Sequence, residues 1–298
     1  MKRKLLSCLL AICMTAALVV PAIAAGSNEA ATPTTTFAPS DAQTPGIESY
    51  TGTDGKTRSA LFAKGTPIVI DENSEGTGLT VTWEGGSYNY AYENGGSVFH
   101  VYGGGFNDGK EYASSSVTVN SGKLAVVYGG GMLNSRVVDA YVEINGGTFS
   151  EAVNGGGACG GTAHSSATAA NYSAARSKSK DTAFNQVENV EIAFNGGQIF
   201  QLYGGGQGYS YVGNVLLTMN GGKADYLTAG GSNGYTDAAA MTVTNGTVGV
   251  MQSVNRGEMR AVTMNVTGGT VTDFYVGGET SDSLTFPVTD ESDVSPPT

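Results

Sequence analysis

The amino-acid sequence predicts an all-β chain wound as a β-solenoid, with rungs of about 25 residues. Composition is the first observation: 45 of 298 residues are glycine, twice the ordinary share of ~7%, while only 14% are charged. The second is a recurring unit in which an Asn-Gly turn leads into six residues rich in apolar side chains and then a second glycine turn. It reads NGGQIFQLYGGG at Asn195–Gly206, NGGSVFHVYGGG at Asn94–Gly105 and NSGKLAVVYGGG at Asn120–Gly131. The third is its spacing. Anchored on Asn94, Asn120, Asn145, Asn195, Asn220, Thr244 and Thr267, the units step by 26, 25, 50, 25, 24 and 23 residues.

Residues 1–24 open with Lys2, Arg3 and Lys4, continue with an apolar run to Val20 and end in Ala22-Ile23-Ala24. This is the pattern of a secretory signal peptide cleaved before Ala25. Residues 25–64 are dominated by Ala, Thr, Ser, Pro and Gly, and are expected to be a flexible leader, too poor in apolar surface to offset the entropy of ordering. The solenoid is assigned to residues 65–280. Its first part, with Ile68-Val69-Ile70, the alternating Leu79–Trp83 and then Tyr88, Tyr90 and Tyr92, is expected to cap the first rung, where an edge and a core would otherwise lie open.

Within the rungs the same columns stay apolar. Three residues before the anchor stand Val117, Val142, Ile192, Leu217, Met241 and Met264, and one before it Val119, Ile144, Phe194, Met219, Val243 and Val266. Mostly polar residues lie between them, which is the alternation of a strand with one face inward. After the turn, Val98, Leu124, Phe149, Ile199, Ala224, Val248 and Val271 form a third column. Val101, Val127, Ala152, Leu202, Leu227, Met251 and Phe274 form a fourth. Asn-Gly is also a hairpin signal, but a constant period with constant columns favours coiling. The doubled step holds residues 158–186, either a surface insertion or a degenerate rung, and residues 281–298 form an acidic polar tail that covers the far end.

These columns resemble those of right-handed parallel β-helix proteins, the single-stranded architecture of pectate-lyase-like enzymes and of many secreted bacterial adhesins, over roughly Val81–Gly278. Enzymes of that architecture that cut acidic polysaccharides gather Asp and Glu with a basic residue in one groove. Here Glu143, Glu151, Asp225 and Asp273 fall in different columns, and the acidic pairs Asp71-Glu72 and Asp290-Glu291 lie outside the regular rungs. His100, His164 and Cys159 lack metal-ligand spacing, so no metal and no cofactor is expected. Cys159 and His164 share a loop but have no third group to orient the histidine. Cys8 and Cys13 belong to the signal, which leaves Cys159 without a disulfide partner.

The net charge of −11 argues against nucleic acid as a partner, and no second long apolar run predicts a membrane span. Tyrosines are the suggestive residues. Tyr102, Tyr128, Tyr203 and Tyr275 share a column beside the glycine corner, where stacking along the rod accounts for them. Tyr112, Tyr209, Tyr211 and Tyr235, with Asp108, Lys110 and Asn233, lie on variable return segments. They are the expected solvent-facing ligand site, suited to stacking on sugar rings. The sequence therefore reads as a secreted, non-catalytic module of the bacterial cell surface, with a polysaccharide or cell-surface glycoprotein as partner. The rival reading is a β-helix polysaccharide lyase or glycoside hydrolase.

Overall fold

The structure is a computed structural model; it describes residues 37–51, 57–92, 99–159, 183, 185–208 and 210–277. All of them fall in the unit Pro33–Thr298, and all regular elements among them are strands. In chain order these are β1 (Ala38–Ser40), β2 (Gly46–Thr51), β3 (Thr57–Phe62), β4 (Ile68–Glu72), β5 (Gly78–Trp83), β6 (Gly86–Ala91) and β7 (His100–Tyr102). There follow β8 (Lys110–Val119), β9 (Lys123–Tyr128), β10 (Ser135–Ile144), β11 (Thr148–Asn154), β12 (Ala158–Cys159), β13 (Asn185–Phe194) and β14 (Gln198–Tyr203). The last seven are β15 (Gln207–Gly208), β16 (Tyr211–Met219), β17 (Lys223–Thr228), β18 (Tyr235–Val243), β19 (Thr247–Gln252), β20 (Glu258–Val266) and β21 (Thr270–Tyr275).

From β8 onward the chain alternates between two sheets, and each strand pairs in parallel with its counterpart one repeat away. The ten-stranded sheet runs β20-β18-β16-β13-β10-β8-β4-β5-β6 with β1 beside β8; the nine-stranded sheet runs β2-β3-β7-β9-β11-β14-β17-β19-β21. Val117, Val142, Ile192, Leu217, Met241 and Met264 stand opposite one another across the first sheet, so the column read from the sequence is a physical row. A third line of parallel pairing is short, consisting of β12 with β15 and single bridges through Phe106, Met132, Ser232 and Asn255.

Two features of the turns make the coil possible. At the described anchor corners the second residue after the anchor carries the left-handed backbone, as at Gly147 (φ 95°), Gly197 (φ 96°) and Gly269 (φ 78°). Their anchors form a ladder of side-chain amides: Asn145 Nδ2 donates to Asn120 Oδ1 (3.0 Å), Asn195 to Asn145 (2.8 Å) and Asn220 to Asn195 (2.9 Å). Thr244 Oγ1 ends the ladder by donating to Asn220 Oδ1 (2.9 Å). At the second corner, Gly103, Gly129, Gly155 and Gly204 sit where a side chain would overlap the carbonyl oxygen of the next repeat.

The main core lies between the two large sheets and runs through all repeats, from Leu61 and Ile70 to Met251 and Val254. A second cluster lies on the other face of the nine-stranded sheet, under the return segments. In it Phe62, Tyr102 and Tyr128 stack with centroids 4.8 and 4.6 Å apart. The expected tyrosine stack stops there, because Asn154 stands in register between Tyr128 and Tyr203.

Two expectations need correction, and one open alternative is narrowed. The leader was expected to be flexible as far as residue 64, yet β1, β2 and β3 lie within it. Ala60, Leu61 and Phe62 are fully buried at the end of the nine-stranded sheet. A few apolar residues suffice there because the sheet supplies the backbone partners. Ala152 was placed in the inward column, but β11 carries a bulge after Phe149 that turns Val153 inward and Ala152 to the second cluster. The doubled step holds no extra strand of the ten-stranded sheet, since β10 pairs directly with β13 from Ser135↔Asn185 to Ile144↔Phe194. The expected cap does form: β4, β5 and β6 close the sheet as an antiparallel meander with Leu79 and Val81 buried.

Candidate functional site

The residues expected to form a ligand site do not converge. Asp108, Lys110 and Tyr112 belong to the β8 repeat, whereas Tyr211, Asn233 and Tyr235 belong to β16 and β18, with β10 and β13 between the two groups. Tyr209 lies outside the described residues.

Tyr112 corrects the expected exposure outright. It stands in the inward column with Val137 and Val187 and is buried in the main core. Its hydroxyl donates to Asp108 Oδ2 at 2.6 Å, and Asp108 Oδ1 accepts from the Lys110 amide at 3.1 Å. Burial, reinforced by Asp108, pushes the phenol far above its ordinary range. Asp108 therefore serves to satisfy a core tyrosine.

Tyr211 and Tyr235 do form a pair. They are opposite each other in the sheet, with rings 5.8 Å apart and nearly parallel. Tyr211 is nevertheless buried, with its phenol pushed up to about 12 by burial and then by Asp237, while Tyr235 is half-buried. Arg260 grips Asp237 beside them through Nε (2.5 Å) and Nη2 (2.9 Å). Asn233 is exposed with a left-handed backbone (φ 60°). With one ring buried and the other half-buried beside the Asp237–Arg260 ion pair, the stacked pair leaves little aromatic surface open.

The open aromatic surface lies on the nine-stranded sheet instead. Ile199 and Leu202 both point inward although they are three residues apart, so Phe200 and Gln201 both face outward. Phe200 is 46% exposed. In the next repeat Asp225 and Tyr226 take the same two places, and the Tyr226 ring meets Phe200 edge-on at 5.5 Å and 79°. Gln201 is in register with Tyr226, Gln198 is in register with Lys223, and Lys223 Nζ lies 3.0 Å from Asp225 Oδ1. The result is an apolar ring pair bordered by amides, an ammonium and a carboxylate on the outward face of the sheet. Sequence reading passed over Phe200 and Tyr226 because it counted only inward columns. The signal was present: two residues between inward columns three apart cannot both be core.

The outward carboxylates are divided between faces. Glu143 lies on the ten-stranded sheet, whereas Glu151, Asp225 and Asp273 lie on the nine-stranded one, with β19 separating the last two. Among the described residues no group of three or more His, Cys, Asp or Glu could hold a metal ion. Cys159 is buried and its thiol is pushed up to about 12 by burial, which disfavours the reactive thiolate. His164 lies outside the described residues. His100 is buried, accepts or donates a 2.8 Å hydrogen bond at Nδ1 with the Tyr50 hydroxyl, and is pushed down to about 4 by burial and by Arg58. No helix of the described residues is long and apolar enough to cross a membrane. No protein-family model, curated protein or solved structure matches the chain.

Proposed function

We propose that the chain is a secreted β-solenoid, a single-stranded parallel β-helix, that acts without catalysis as a glycan-contact or adhesion module of a bacterial surface. The observation that carries this reading is the Phe200–Tyr226 pair, a large apolar ring nearly half exposed on a rigid sheet with hydrogen-bonding groups at its border. A pyranose ring offers a matching surface, with an apolar C–H face to lie on Phe200 and hydroxyls to meet Gln198, Gln201, Lys223 and Asp225. The alternation of the chain between two parallel sheets supports the coil, and the basic-apolar-small start of the sequence supports export. The stacked Tyr211–Tyr235 pair is too covered to be the main contact.

A glycan array on the full chain tests this, with product analysis of every bound polysaccharide. Binding without product is expected, reduced by Phe200→Ala and by Tyr226→Ala and unchanged by Asn233→Ala. Bond cleavage, or binding indifferent to both aromatic variants, would overturn the proposal.

A further inference from the structure

Asparagine followed by glycine is prone to deamidation, because the glycine nitrogen has no side chain beside it and can reach the asparagine carboxamide to close a succinimide ring. Six such pairs lie among the described residues, beginning at Asn145, Asn154, Asn195, Asn220, Asn233 and Asn245. The fold treats them differently.

The ladder holds Asn145, Asn195 and Asn220 by both ends of the carboxamide. Each Nδ2 donates to the preceding anchor, and each Oδ1 accepts from the following one, the last from Thr244 Oγ1. Ring closure at these residues must turn Cγ toward the next nitrogen, and so break both bonds. Asn154 is buried, and the Gly155 nitrogen already donates to Tyr203 O at 3.0 Å. Asn233 is exposed, but its left-handed backbone (φ 60°) sets the next nitrogen on the opposite side of the Cα–C bond from Cβ.

Asn245 departs from all of these. Its corner reads Thr244-Asn245-Gly246-Thr247, so threonine takes the anchor's place in the ladder. The asparagine follows one position later, where Gly146, Gly196 and Gly221 stand in other repeats. Asn245 is exposed, and among the described residues its carboxamide makes one hydrogen bond: Oδ1 accepts from the Gly246 nitrogen at 2.8 Å. That contact brings Cγ, one bond beyond Oδ1, close to the nitrogen that must attack it. Holding the reacting atoms near contact supplies much of what a ring closure needs.

We propose that Asn245 is the site at which the folded chain deamidates, and that the amide ladder protects the Asn-Gly corners of the other repeats from the same reaction. The Gly246 nitrogen gives its proton to solvent base and bonds to Asn245 Cγ, and Nδ2 leaves as ammonia. Water then opens the succinimide at one carbonyl or the other, leaving aspartate or isoaspartate. One water enters, one ammonia departs and nothing is oxidised. The product carries a new negative charge beside Thr244 and, in the isoaspartate form, an extra backbone carbon between the end of the ladder and β19. The ladder thus has a chemical role besides its structural one: it lets a labile sequence serve repeatedly as a corner.

The test is incubation of the full chain in mildly alkaline buffer, with conversion at each site followed by peptide mass and by isoaspartate-specific methylation. Asn245 should convert first, to a mixture of aspartate and isoaspartate. Asn145, Asn195 and Asn220 should convert at least about fivefold more slowly, the factor for breaking two exposed hydrogen bonds. In urea, where ladder and corners are both lost, the six sites should converge on one rate. Asn195→Ala deprives Asn145 and Asn220 of one bond each, and should raise their conversion about twofold while leaving that of Asn245 unchanged. Equal rates in the folded chain, conversion at a ladder asparagine or at Asn233 as fast as at Asn245, or a ranking that persists in urea would overturn the proposal. So would unaltered rates at Asn145 and Asn220 in the Asn195→Ala variant.

Discussion

Replacing Asn195 by alanine removes the middle of the amide ladder while leaving the turn backbone intact, because the left-handed residue of that turn is Gly197. Asn195 donates to Asn145 Oδ1 at 2.8 Å and accepts from Asn220 Nδ2 at 2.9 Å, so the substitution breaks two bonds. Both are exposed, and water replaces each partner, so each lies near the low end of the net ~0.5–1.5 kcal/mol of a protein hydrogen bond. The expected loss is about 1 kcal/mol, or about 2–4 °C in melting temperature for a domain of this size. Asn145→Ala also breaks two bonds, one of them the bond shared with Asn195. The double variant therefore loses three bonds rather than four, and a double-mutant cycle should return a coupling of about 0.5 kcal/mol. Urea unfolding of the four proteins measures it. Strict additivity, or a single-variant loss above about 3 kcal/mol, would show that the asparagines act through turn propensity or packing and not as a ladder.

Two further outcomes follow from the geometry. Gly197→Ala should cost at least about 2 kcal/mol, because φ is 96° and the new methyl would lie 2.6 Å from the Gly147 carbonyl oxygen. Gly76→Ala, at φ 67° with open space around it, should cost only about 1 kcal/mol, and equal losses would refute the role of the neighbouring carbonyl. His100 should make the fold acid-sensitive. Its folded value near 4 lies below the free value near 6.5, so the unfolded chain takes up the proton first as pH falls. Stability conferred by the neutral ring is complete above pH ~6.5, declines between ~6.5 and ~4 by up to about 3 kcal/mol, and is then flat. His100→Gln should remove that component from a plot of stability against pH, and an unaltered profile would refute it.

Much of the architecture could be read from the chain because the inward columns are written in residues with few alternatives. Val117 through Met264 and Val119 through Val266 recur at the anchor spacing, and the structure sets them opposite one another in parallel register, which disposes of hairpins for these strands. The site was less legible. Tyr112 looked like a surface residue because its return segment is polar, but Asp108 four residues earlier satisfies its hydroxyl inside the core. The bulge in β11 was invisible because Ala152 and Val153 are both apolar and either could fill the column. Phe200 was harder to see because it stands inside an apolar run, where only the three-residue spacing of Ile199 and Leu202 marks it as facing outward. The strands of residues 38–62 escaped notice because an end strand borrows its partners from a sheet already formed.

The direct pairing of β10 with β13 has a wider consequence. About forty residues separate these neighbours in sequence, yet their alignment matches that of neighbours one ordinary repeat apart. Length is therefore absorbed between the strands, while the sheets keep their alignment as the step from one sheet to the other shortens from 12 residues (Tyr203 to Val215) to 10 (Gln252 to Val262). A lineage can then enlarge or recode one loop without renegotiating the scaffold beneath it. For an engineer, the position between Cys159 and Ala183 is the natural place to graft a foreign sequence.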